Sequence, residues 1–158
     1  EHALFKHVNI DRRRIRFLDG TAARPDDECA RYERRIARAG GIDLLLLGLG
    51  VNGHIGFNEP GATLVSHTHI AVLARSTRVA NADLFGGRVS LVPTRALSMG
   101  MGTILRARRI VLLATGASKA SAVRELVRGP VTPRMPASFL QLHARAEVWV
   151  DAAAAAAL

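Results

Sequence analysis

Residues 42–47, apolar except for Asp43, run without interruption into the turn Gly48-Leu49-Gly50-Val51-Asn52-Gly53. A short apolar run of this kind predicts a strand buried on both faces of a parallel sheet. The glycines that follow allow the backbone to bend sharply and approach a ligand closely. Further segments repeat the pattern. Residues 26–39 predict a helix, opened by Pro25 and the acidic Asp26, Asp27 and Glu28 and closed by Gly40-Gly41. Within it, Glu33 beside Arg34, Arg35 and Arg38 suits an exposed face. Strands are predicted over 69–73, 109–114 and 147–150, and helices over 79–85, 118–128 and 136–143. The alternation is that of a Rossmann-like α/β fold, a parallel sheet with flanking helices. The Ala-rich stretch 152–158 reads as a frayed or disordered tail, leaving 1–151 as the domain.

Composition narrows the function classes. The 158 residues are 49% apolar and 22% charged, a globular mixture. Outside the tail the longest purely apolar run is 110–114, far too short to span a membrane. The single Cys29 has no internal disulfide partner and fits a reducing compartment, the cytoplasm. Net charge is +9, yet 20 of the 22 basic residues are Arg and only Lys6 and Lys119 are Lys. Apart from Arg12, Arg13, Arg14 and Arg16 the Arg are scattered, and aromatics are 4%. That pattern reads as compositional bias, not a nucleic-acid surface, and no nucleic-acid partner is expected.

In open α/β sheets ligands sit beyond the carboxyl ends of the strands. The segments 48–59 and 115–119 occupy that place. Gly48, Gly50 and Gly53 match a dinucleotide fingerprint, but Pro60 disfavours helical geometry at Glu59 where a helix should continue. On the residues alone, two readings of His54 and Glu59 stand. They form a proton-handling pair, in which the carboxylate orients the imidazole, or both are satisfied by hydrogen bonds within the turn.

The string 48–61, Gly-Leu-Gly-Val-Asn-Gly-His-Ile-Gly-Phe-Asn-Glu-Pro-Gly, strongly resembles the signature of the glucosamine-6-phosphate deaminases. The resemblance continues through Leu4-Phe5-Lys6-His7-Val8-Asn9-Ile10, His67-Thr68, Ser76-Thr77-Arg78-Val79-Ala80-Asn81, the stretches 92–105 and 115–120, and Ser138-Phe139-Leu140-Gln141-Leu142-His143. The 6-phosphogluconolactonases share the fold and the Gly-rich core, but the residues after His54 favour the deaminases. The resemblance implies conversion of glucosamine 6-phosphate and water to fructose 6-phosphate and ammonia, with no metal or organic cofactor. It makes His54 the acid/base of ring opening, with Glu59 and Asn52 as its partners. Asn52 stands where some members have Asp. Lys119 matches the phosphate-binding Lys, and Gly50, Gly53 and Arg78 complete the expected substrate contacts. A small sugar phosphate is therefore the expected partner, with a homo-oligomer as a further possibility.

Two departures accompany the resemblance. Asp83 stands where the family carries a phosphate-binding Arg, for which Arg78 or Arg88 are the candidate substitutes. The family's first strand, its phosphate loop and the Asp that moves the carbon-bound proton have no counterpart in residues 1–16, so the chain is expected to be a carboxyl-terminal portion. Such a portion is expected to expose apolar sheet surface, to be unstable or sticky, and to show little deaminase activity. The stretch His69-Ile70-Ala71-Val72 lacks the basic residues of the family's effector site, so no activation by an acetylated amino-sugar phosphate is expected. A non-catalytic sugar-phosphate sensor, or a degenerate remnant, is the alternative class.

Overall fold

A computed structural model describes residues 4–158, so the expected domain limit at residue 1 lies outside the described part. Helix α1 (Pro25–Arg38) begins with Pro at its first turn and carries Asp26, Asp27 and Glu28 there, where carboxylates favour the positive helix end. Gly40 and Gly41, with φ of 83° and 97°, reverse the chain into strand β1 (Leu44–Gly48). Strands β4 (Arg109–Ala114) and β5 (Ala146–Val150) complete a parallel sheet of order β1-β4-β5, in which Leu45 pairs with Ile110 and Leu112 with Val148. Between β4 and β5 lie helix α4 (Ala120–Arg128) and a 3-10 segment, Pro136–Leu142.

The core gathers on one face of this sheet. Leu45, Leu47, Ile110 and Leu112 pack with Ala122, Val123 and Leu126 of α4 and with Ile55, Ile104, Ala137 and Leu140. The opposite face is open. Leu46 is 63% exposed and Trp149 59%, with Leu44 and Leu113 exposed beside them. This corrects the expectation that the strand is buried on both faces. Among the described residues the packed layer covers one side only, so β1 alternates in burial although its sequence does not.

The long connection from β1 to β4 holds a second, antiparallel pair. Strand β2 (His69–Val72) pairs with β3 (Arg95–Ser98), His69 opposite Ser98 and Val72 opposite Arg95. Helix α2 (Arg75–Ala80) and the 3-10 turns Ala82–Phe85 and Val89–Leu91 lie between them, and α3 (Met101–Leu105) follows β3. The helix expected over 79–85 is thus two elements. It breaks at Asn81, whose side-chain amide donates to the Thr77 carbonyl at 2.8 Å. Neither β3 nor α3 is anticipated by the sequence.

Two other expectations are corrected. Glu33 does not lie on an exposed face. Its Oε1 accepts from the Thr68 amide at 2.7 Å and from the Thr68 and Thr103 hydroxyls at 2.6 Å, joining α1 to β2 and α3. The stretch 152–158 is not frayed throughout, because Ala154 is fully buried in the core and its amide donates to Asp151 Oδ1 at 2.7 Å. No helix among the described residues is long and apolar enough to cross a membrane.

Candidate active site

The glycine-rich loop leaves the carboxyl end of β1 and turns back on itself. The Gly50 amide donates to the His54 carbonyl and the Gly53 amide to the Gly50 carbonyl, both at 2.9 Å. This turn lays the His54 imidazole flat against the Cα of Gly50, where any side chain would overlap the ring. Glycine at position 50 is therefore a requirement for placing the histidine.

Three side chains and one backbone amide converge behind that ring. The Glu59 carboxylate stands 3.4 Å from His54 Nδ1, with both side chains about 15% exposed (15% and 14%). Asn52 Nδ2 donates to Glu59 Oε2 at 2.8 Å, and Asn52 Oδ1 accepts from the His54 amide at 3.3 Å. Thr77, 2% exposed, donates its hydroxyl to Glu59 Oε1 at 2.6 Å and lies 3.3 Å from His54 Nδ1. The Ala74 amide adds a third donor to the carboxylate, at 3.2 Å. A carboxylate so surrounded is fixed in place.

His54, Gly50, Thr77, Asn81, Phe57 and Lys119 line one cavity of about 360 Å³ beyond the carboxyl end of β1. Lys119 reaches it from the turn that follows β4. That turn is held by Asp151, both of whose oxygens accept from the Gly116 amide at 3.0 Å. Burial lowers the His54 pKa from its ordinary value, an effect the neighbouring Glu59 charge opposes and the Lys119 charge reinforces. Burial also lowers that of Lys119.

The structure thus brings together His54, Glu59, Asn52, Gly50 and Lys119. It places the other two expected residues elsewhere. Gly53, with φ of 87°, faces the Met135 side chain, and its carbonyl accepts from Ala137. Arg78 does not line the cavity, and its Nη2 donates to the Val89 carbonyl at 3.0 Å. Asp83 and Arg88 are exposed and also stand outside the lining. Lys119 is the one cation lining the cavity among the described residues. Reading the sequence missed Thr77 and Asn81 as site residues. The signal was present in the string 76–81, where Thr77 lies within α2 and Asn81, four residues on, caps its end.

Comparison with known proteins identifies the family. Residues 1–149 match the model of the family described as glucosamine-6-phosphate isomerases/6-phosphogluconolactonase. A glucosamine-6-phosphate deaminase of Rhodopirellula baltica is 55% identical over 155 residues, which are 98% of this chain and 61% of that protein. One from Clostridium botulinum is 46% identical, with 98% and 63% covered. A solved structure of a monomeric glucosamine-6-phosphate deaminase superposes with a TM-score of 0.93 at 44% identity, covering 98% of this chain and 64% of the other. The chain therefore spans about three fifths of the length of these relatives. From signature, fold and site geometry together, this chain belongs to the glucosamine-6-phosphate isomerase/6-phosphogluconolactonase family.

Proposed function

We propose that this chain carries the ring-opening and phosphate-holding part of a glucosamine-6-phosphate deaminase. The observation that carries the reading is the His54 imidazole on the wall of a sugar-sized cavity, with the Glu59 carboxylate 3.4 Å behind it and Lys119 on the same lining. A base at that position takes the proton from the anomeric hydroxyl of the closed sugar. As the bond from the anomeric carbon to the ring oxygen breaks, the same imidazole returns the proton to that oxygen, and a carbonyl remains. Glu59 stabilises the imidazolium that exists between the two transfers. Lys119 supplies a charge-assisted contact for the phosphate. The later transfer of a carbon-bound proton calls for a second base, and no carboxylate lines the cavity among the described residues. Imine hydrolysis then yields fructose 6-phosphate and ammonia. Cys29, a buried free thiol, is in keeping with a reducing compartment, and we assign the reaction to the cytoplasm.

Ring opening is measurable apart from deamination. Magnetisation-exchange NMR of glucosamine 6-phosphate follows the interconversion of its two anomers. The chain is expected to accelerate that exchange, and His54→Gln to reduce the acceleration by about 10²- to 10⁴-fold, the usual yield of a positioned acid/base. Anomer exchange no faster than in buffer, or equal in the variant, contradicts the proposal.

A further inference from the structure

We propose that Thr77 is a positioning residue that fixes the tautomer of His54, holding the hydrogen on Nδ1 and leaving the lone pair on Nε2 across the ring. A threonine hydroxyl has one hydrogen to give and lone pairs to accept with. Here it has two neighbours, Glu59 Oε1 at 2.6 Å and His54 Nδ1 at 3.3 Å. The shorter contact has the length of a hydroxyl donating to a charged carboxylate, so the hydrogen goes to Glu59. What the Thr77 oxygen then presents to Nδ1 is a lone pair. The second acceptor facing Nδ1 is Glu59 Oε2, at 3.4 Å.

Glu59 has no hydrogen of its own to offer while ionised, and its remaining capacity is taken by the Asn52 amide and the Ala74 amide. Every group within reach of Nδ1 is therefore an acceptor. An unprotonated Nδ1 would face two oxygens with no hydrogen between them, a costly arrangement for groups this buried. The Nδ1–H form satisfies both. Thr77 is itself 2% exposed and sits in the third position of α2, so its rotor is confined by the same helix that positions the Ala74 amide.

The catalytic consequence, a base whose lone pair is already on Nε2, rests on the acid/base role proposed for His54. The tautomer itself does not, and it is read without any turnover. The test is long-range ¹H–¹⁵N correlation of the imidazole in the full chain, above the pH at which the ring is neutral. The wild type is expected to show Nδ1–H. Thr77→Val, which keeps the shape and removes the hydroxyl, is expected to shift the tautomer ratio about fivefold to tenfold towards Nε2–H, the scale of one hydrogen bond. Thr77→Ser is expected to restore the wild-type spectrum. A folded Thr77→Val chain with an unchanged tautomer overturns the proposal. If that variant does not fold, an Nε2–H tautomer in the wild type overturns it equally. An Nδ1–H ring in a chain that fails to open the sugar leaves this inference standing and removes the functional one.

Discussion

At the scale of single residues, the charge on Glu59 decides how far burial can push His54. Burial lowers the imidazole pKa and the carboxylate opposes it. Glu59→Gln keeps an oxygen for the Thr77 and Ala74 donors but removes the charge, so the His54 pKa is expected to fall further. An NMR titration of the ring checks this, and an upward or absent shift contradicts it. The linkage has a definite sign. The folded chain resists protonation at His54 below the ordinary value of 6.5 while the unfolded chain does not. This residue therefore costs stability as pH falls from that value through the lowered folded one. The motif residues were legible because their chemistry lies within one loop: Gly50, Asn52, His54 and Glu59 are close in sequence and close in space. Thr77 was not singled out, since its partner Glu59 is 18 residues away and only the fold unites them. Arg78 looked like a phosphate ligand by its charge, but its guanidinium turns to a backbone carbonyl, which charge alone does not reveal.

At the scale of elements, Glu33 ties α1 to β2 and α3. Burial acts to raise its pKa, but hydrogen bonds from Thr103 and Thr68 outweigh burial and lower it. Its contribution to stability is thus complete above the ordinary glutamate value of 4.5 and is lost as pH falls through the lowered folded value. Glu33→Ala leaves the Thr68 amide and two hydroxyls without their acceptor. It is expected to cost about 1–3 kcal/mol in denaturant unfolding, and a loss below about 0.5 kcal/mol contradicts the role. The helix α1 was legible from its caps, yet this use of Glu33 was not. Its neighbours Arg34, Arg35 and Arg38 are exposed, and local charge pattern pointed the same way for all four. Strand β3 escaped notice for a related reason: Arg95-Ala-Leu-Ser is short and weakly patterned, and pairing with β2 makes it a strand.

At the scale of the whole molecule, the open sheet face is the dominant feature. Leu44, Leu46, Leu113 and Trp149 form an exposed apolar surface on a sheet whose other face holds the core. A patch of this kind promotes association. Leu46→Glu is expected to reduce light scattering at high protein concentration while leaving thermal stability nearly unchanged, because the side chain is already 63% exposed. Equal scattering contradicts that expectation. The sequence displayed the apolar character of these strands but not which face is covered, since covering depends on the layers that pack there. The site lies at the carboxyl ends of β1 and β4, where the loop bearing His54 and the turn bearing Lys119 meet across one cavity. Whether that meeting recognises a sugar phosphate is most directly read by titrating the ¹⁵N-labelled chain with glucosamine 6-phosphate. If it does, saturable shifts appear at both His54 and Lys119 with one dissociation constant, and none appear with unphosphorylated glucosamine. Shifts confined to one of the two residues, or equal shifts with the unphosphorylated sugar, would contradict that recognition.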